Sequence, residues 1–416
     1  MPTLPHPPTA PAGAHHTNSA NAHRNTERGR DADSMKPNTN NQYHQFIPLL
    51  ALAAITGSAN SQDLAKSLDP IWALATLFKD DSNPILQEFK LRGRYQGQYH
   101  WLDSDQGSAE GWEDRRSRLG FDAKLFEKQL EIRADFQSND GFEDFYDRLV
   151  DAYIRWNPNP NLSITAGKTK PLIAWYDWLQ STNSQPTFER SQIFNQLRVD
   201  RATALTFEGS IENFTWQAGF YSNDTDREFG TFGGGTSYGA GIGWNLKETL
   251  GWPRADLRLD WLHSDHDADD LVLNRYQDIL TATFWARQGP WELVIEGFHA
   301  SGGEGRFEDV AGFFIQPAYD LIPGKLQLVG RYTFSTGDGP ASLDGQSRYE
   351  RTAPGLTPAG AARGDTYHAF YLGTQYFIHG DKLKLLTGIE YSTLSGGTNA
   401  DDYEGTTLLT GLRLSF

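Results

Sequence analysis

The chain has 416 residues, with 24 Phe, 17 Tyr, 12 Trp and 41 Gly, two Met and no Cys. Without Cys there is no disulfide scaffold, thiolate metal site or cysteine nucleophile, and a formal charge of −16 argues against a nucleic-acid surface, which needs a basic face. Beyond the leader no stretch approaches the ~18 continuous apolar residues of a spanning helix, so a helical membrane protein is excluded too.

Residues 1–34 are rich in Pro, Ala, His and Asn and have no hydrophobic period. Such a segment cannot bury enough surface to order itself, and it reads as a mis-assigned or disordered N-terminal extension before a true start at Met35. From Met35 the chain runs MKPNTNNQYHQFIPLLALAAITGSANSQ: Lys36, a polar spacer, an apolar run from Phe46 to Ile55, then small residues. Ala59 and Ser61 suit the −3 and −1 positions of a cut before Gln62, so 35–61 reads as a secretory signal peptide. Removal of residues 1–61 takes Arg24, Arg28, Arg30, Lys36, Glu27, Asp31 and Asp33 away, leaving an exported chain that is more acidic still. Residues 62–88 form a periplasmic N-terminal segment. There Leu64, Leu68, Ile71, Leu74 and Phe78 fall near helical spacing around Pro70, as expected of a short amphipathic helix acting as a plug or contact, or of a plain tether.

From Phe89 to Phe416 the period is two. FKLRGRYQGQYHWL sets Phe89, Leu91, Tyr95, Tyr99 and Trp101 against Lys90, Arg92, Arg94, Gln96 and Gln98; RADLRLDWLH and KLKLLTGIEYS alternate in the same way. Strands are predicted at 89–102, 114–126, 129–138, 148–157, 161–169, 201–211, 213–222, 236–247, 253–264, 274–288, 290–300, 308–320, 324–335, 365–378, 382–394 and 406–416. Connections after even-numbered strands are short, as at Glu127-Lys128, NPNPN, Gly289-Pro290 and HGDK. Those after odd-numbered strands are longer and polar, including SDQGSAEGWED and SDHDADD. The expected fold class is therefore all-β: a transmembrane antiparallel β-barrel of about 16 strands over 89–416, with turns in the periplasm and loops outside. Two eight-stranded sandwiches would have apolar inner faces and no sorting of connections by parity.

The last strand, TTLLTGLRLSF, carries Leu408, Leu412, Leu414 and Phe416 on one face. It closes against the first with that row on lipid, because backbone groups in hydrocarbon must all be paired. Trp101, Trp156, Trp216, Tyr221, Trp261, Trp291, Tyr332 and Tyr391 are placed at strand ends as interfacial girdles.

Alternation points Lys90, Arg92, Arg94, Arg116, Arg118, Arg133 and Arg155 into the lumen, a row of fixed positive charge suited to anions. Arg115 has the wrong parity unless a bulge intervenes. The opposing reading is that Asp122, Asp135, Asp151, Glu131, Asp256, Asp260, Glu292, Glu296 and Glu390, on the same face, neutralise much of that row through salt bridges.

No other constellation carries chemistry. HSDHDADD (263–270) spaces Asp265, Asp267 and Asp269 alternately, yet Asp270 and Tyr276 stand where a calcium loop needs its Gly and Glu. It reads as a solvated acidic loop. The glycines at 233–235 and 336–339 precede no helix, and Ser264 beside His263 and His266 lacks an orienting third group. No metal, no cofactor and no enzymatic activity are expected.

A series of segments in order, FKLRGRYQ (89–96), DRRSRLGFDAKLF (114–126), DAYIRW (151–156), ITAGKTKPL (164–172), FERS (188–191), RATALTFEG (201–209) and WQAGFYSN (216–223), resembles the phosphate-selective porin O/P family of bacterial outer-membrane channels. The run Ala202-Thr203-Ala204 departs from it, and beyond the eighth strand the likeness is architectural. The resemblance implies a bacterial outer-membrane porin in contact with lipid and lipopolysaccharide, a homotrimer, and recognition of C-terminal Phe416 by the outer-membrane assembly machinery. It also implies that the long segment after strand 5 folds inward as a constriction, with Lys168, Lys170, Asp177, Glu189, Arg190 and Arg198 near the narrowing. Ile173, Trp175, Trp178, Phe188, Ile193 and Phe194 give that segment apolar surface to pack against a wall, and so long a loop is usually functional. Passive diffusion of small anions such as phosphate or polyphosphate is the expected function. A general or cation-favouring pore, and a non-conducting surface barrel binding partners through its loops, remain the alternatives.

Overall fold

The structure, a computed structural model, describes residues 61–138, 144–197, 199–224, 228–265, 273, 275–303, 307–345, 363–397 and 402–416. The N-terminal extension, nearly all of the signal segment and Arg198 lie outside these.

Sixteen long strands follow one another: β1 (Leu86–Ser104), β2 (Gly107–Leu125), β3 (Leu130–Ser138), β4 (Arg148–Asn159), β5 (Leu162–Thr169), β6 (Ala202–Ile211), β7 (Phe214–Ser222), β8 (Thr236–Asn245), β9 (Arg254–Asp265), β10 (Asp278–Gln288), β11 (Trp291–Ser301), β12 (Val310–Ile322), β13 (Leu326–Gly337), β14 (Thr366–His379), β15 (Leu383–Ser395) and β16 (Tyr403–Ser415). Each pairs antiparallel with the next, and β16 returns to β1 from Gly405 opposite Ser104 to Ser415 opposite Arg94. The sheet is closed, and every predicted strand is present. The stretch expected as the first long loop is instead ladder, since β1 and β2 run on to a turn at Asp105-Gln106. Alternation persists there, and polar outward side chains pair across it, as Tyr99 Oη does with Glu110 at 2.9 Å. Polar composition alone had masked a hairpin.

The two faces of the cylinder differ as a lipid-and-water solvent requires. Leu205, Phe220, Ile242, Leu280, Leu372, Ile389 and Leu408 are exposed on the outside, while Gln96, Thr165, Asp260, Thr283, Glu296, Arg331 and Thr333 are buried on the inside. Seven of the eight girdle aromatics follow the outward parity. Tyr221 does not: it is fully buried, and its hydroxyl accepts the Leu172 amide at 3.1 Å. It shares its row with Gln217 and Gly219, so its inward direction follows from strict alternation within β7.

Closure continues below the end of β16. There the strand Thr76–Lys79 pairs with the lower part of β1, Phe78 opposite Phe89 and Lys79 opposite Glu88, so that stretch of edge is covered. Helix α1 (Ser61–Ala73) precedes it. The helix docks through Trp72, whose Nε1 donates to the Ser415 carbonyl at 2.6 Å and whose ring stacks on His379 at 4.7 Å, with Asp69 2.7 Å from His379. Ile71 and Leu74, expected on its contact stripe, are exposed. The helix is thus a rim contact made by an aromatic and a carboxylate, with Ile71 and Leu74 left outside it.

Candidate functional site

The basic rows lie where alternation puts them, with one irregularity that matters. In the β1–β2 ladder Gln96 faces Arg116 and the next pair is Gly97 with Asp114, so Arg115 is an extra residue. Such a bulge turns two successive side chains to one side. Arg116 donates to Gln96 at 2.9 Å, and Arg115 grips Glu189 with Nε at 2.8 Å and a second nitrogen at 3.1 Å. Arg115 therefore belongs to the site that simple parity excluded it from.

The candidates then divide by partner. Arg92 lies 2.6 Å from Asp122 and 3.2 Å from Asp135, while Arg133 lies 2.6 Å from Asp122 and 3.0 Å from Glu131. Arg155 bonds Thr165 at 3.0 Å and lies 4.0 Å from Glu131, and Lys90 stands opposite Asp122 in the ladder. For Arg92, Arg133 and Arg155 the neutralising reading describes the geometry. Arg94, Arg116 and Arg118 differ: their hydrogen bonds go to Ser181 and Thr182, to Gln96, and to Gln137, all uncharged. Among the described residues none of the three has a carboxylate within ion-pair distance.

Residues 170–201 connect β5 to β6 through a π-helical turn (Trp175–Leu179) and helix α2 (Gln192–Leu197). The apolar residues that sequence singled out are largely buried, Ile173, Trp178, Phe188 and Ile193 nearly completely. Its polar groups, side chain and backbone, are gripped from strands around the cylinder. Arg94 and Gln96 of β1 reach Ser181 and Asn183 at 3.0 and 2.6 Å. Thr281 of β10 accepts the Ala174 amide at 3.2 Å, and Glu296 of β11 accepts those of Tyr176 and Asp177 at 2.8 and 3.1 Å. Arg331 of β13 donates to the Glu189 carbonyl at 3.0 Å. Arg413 of β16 donates to the carbonyls of Thr182, Gln185, Thr187 and Phe188, and Lys384 of β15 to that of Gln185. Carbonyls left unpaired in a buried loop are costly, and these side chains supply the donors.

Glu296, Arg331, Lys384 and Arg413 were not singled out as loop contacts from sequence. Their inward parity was visible, but nothing local says that a segment more than a hundred residues away will meet them.

Of the six residues expected at the narrowing, four come together with the free arginines. Lys170 donates to the carbonyls of Trp178 and Leu179 at 2.6 and 3.2 Å, and Arg190 donates to those of Asp177 and Trp178. Lys170, Arg190 and Arg201 all approach the Trp178 ring, at 4.8, 5.1 and 5.5 Å from its centroid, where the ring face offsets part of their charge. Arg201 is also bonded to Asp151 at 2.7 Å. Burial, with Arg190 and Arg201 nearby, holds the Lys170 ammonium well below the usual lysine range. Burial alone would raise Glu189, but Arg115 and Arg116 more than offset it and keep its carboxyl below the ordinary value. Asp177 is raised by burial, against the hydrogen bonds from Ser191. Lys168 is buried in β5 opposite Thr203.

Of the acidic run at 263–270, His263 lies 2.9 Å from Asp278, and residues 266–270 fall outside the described ones. Among the described residues no cluster of three metal-ligating side chains occurs.

Residues 89–243 match the family described as phosphate-selective porin O and P. No curated protein matches the chain. Among solved structures, the high-pH form of OprB from Pseudomonas putida superposes with a TM-score of 0.54 at 12% identity, covering 79% of this chain and 94% of that one. The outer-membrane channel DcaP of Acinetobacter baumannii gives 0.49 at 12% identity, covering 82% and 99%. OmpT of Vibrio cholerae gives 0.47 at 13%, covering 79% and 98%. At such identities the likeness speaks to fold alone, and of the three the OprB superposition is the one close enough to argue from. Residues 89–243 of this closed sixteen-stranded barrel thus carry the phosphate-selective porin O and P pattern, and the chain is a channel protein of the bacterial outer membrane.

Proposed function

We propose that the channel passes small anions such as phosphate by passive diffusion, through a narrowing made where the 170–201 segment crosses the lumen. The observation that carries this reading is the cluster of Arg94, Arg116 and Arg118, whose partners are neutral, beside Lys170, which donates to backbone carbonyls, and the nearby Arg190. A guanidinium without a counter-charge offers an anion donors that replace part of its hydration shell. The neutralised pairs Arg92–Asp122, Arg133–Asp122 and Arg201–Asp151 flank the cluster and hold its strands in register. A homotrimeric assembly, contact with lipopolysaccharide and recognition of Phe416 by the assembly machinery belong to the same proposal, as the family likeness implies them.

The test is the zero-current potential across a planar bilayer in a salt gradient. Wild-type channels should favour anions and be blocked by phosphate. Neutralising Arg94, Arg116 and Arg118 to Gln together should shift the potential toward cation preference and weaken phosphate block at least tenfold, about 1.4 kcal/mol. Unchanged selectivity would remove the cluster from the mechanism, and a cation-favouring wild type would support the general-pore alternative.

A further inference from the structure

Behind the basic cluster, at the end of the barrel where the short turns lie, is a chamber of about 300 Å³ bounded by Trp175 of the inward-reaching segment and by the inner faces of β5 to β9. Two cross-strand rows build its wall. Ser163, Glu208 and Gln217 are neighbours across β5, β6 and β7, and Ser210, Thr215, Gly243 and Arg258 continue the next row into β8 and β9. Gly243 keeps the room open, because a Cβ there would stand 2.4 Å from the Thr215 hydroxyl.

The charges of this wall largely cancel. Arg258 is 2.8 Å from Asp260, and Asp256 is 3.6 Å from Arg254 and accepts from Asn245 at 3.0 Å. Glu208 is left without an ion pair among the described residues. The rest of the lining is hydroxyl and amide together with an apolar share from Leu162, Trp216, Trp244, Leu257 and the partly buried Trp175 indole, which packs against Trp285 at 5.5 Å and Arg258 at 5.6 Å. Few convergent polar groups around an aromatic surface are the usual makings of a small-molecule site, and the volume is at the lower end of that class.

From this we infer that the chamber is a second solute site, for a neutral polyhydroxylated molecule of monosaccharide size. Several uncharged donors and acceptors meet hydroxyls well, and an apolar ring face meets C–H groups. An anion gains nothing beside Glu208, so this site is chemically distinct from the basic cluster. Access is from the turn side, which in such barrels is periplasmic.

The inference rests on the channel reading, yet it can fail separately. Titration calorimetry of the detergent-solubilised protein with glucose needs no conductance. Binding in the millimolar range is expected, weakened about tenfold in Glu208→Gln and abolished in Gly243→Val, which fills the chamber from a barrel strand and leaves the 170–201 segment's anchors in place. Trp175→Ala should weaken it similarly. In bilayers, glucose should interrupt the current more often when added on the turn side, with phosphate block unchanged in both Glu208→Gln and Gly243→Val. Absence of glucose binding, binding unaffected by Gly243→Val, or binding of a primary amine in place of glucose would each overturn the assignment. Absence of conductance with glucose bound as described would instead overturn the channel reading.

Discussion

Gly93 and Phe416 show how much one residue decides in a closed sheet. The two exchange backbone hydrogen bonds at 3.2 and 3.1 Å, and the terminal ring lies where a Cβ on residue 93 would be, 2.1 to 2.8 Å from three of its carbons. A side chain at that position must displace the ring or the strand. Gly93→Val is expected to lower the stability of the folded barrel by about 1–3 kcal/mol through overpacking, read as a smaller heat-resistant fraction on an unboiled gel. An undiminished fraction would show that the ring can relocate at no cost. Arg115 teaches the complementary lesson. Its charge and its place beside Arg116 were legible, but its direction was not, because the bulge that turns it is a property of two strands in register and leaves no mark in one strand's alternation.

At the scale of an element, the segment from 170 to 201 is too long and too apolar to be a solvated loop, and that much is plain from composition. What holds it is not. Arg413 stands three residues before the end of the chain and donates to four carbonyls of a segment more than two hundred residues earlier. Its substitution to Gln should cost about 3 kcal/mol, since charge-assisted bonds to buried acceptors are lost and the acceptors stay behind. The same variant should show noisier open-channel current as the segment loosens. A quiet current with normal stability would mean that Glu296, Arg331 and Lys384 suffice to seat it. Composition misled where it met a polar stretch: residues 103–113 look like a loop by composition but form the tip of a hairpin, because pairing continues as long as each side chain finds water or a partner.

For the whole molecule, closure is the governing fact. β16 covers β1 only as far as Gly93, and the strand Thr76–Lys79 takes over below it. Removing residues 62–79 should therefore uncover an edge of β1 and release the Trp72 contact to Ser415. The expected result is a lower thermal midpoint with single-channel conductance unchanged, since neither contact faces the basic cluster. A large conductance change would instead make this segment part of the conduit.

Strand number, strand polarity and membrane residence were determined by the sequence alone, for a local reason. Side chains alternate with period two whatever the strand pairs with, and the two solvents of a membrane barrel write that alternation directly into residue type. Which arginines stay without a counter-ion, where Arg115 points, what seats the long segment and where the chamber lies behind it were decided only by the tertiary structure. Each depends on residues from strands far apart in the chain that meet once the sheet has closed, and the energy of a charge depends on the partner it then finds.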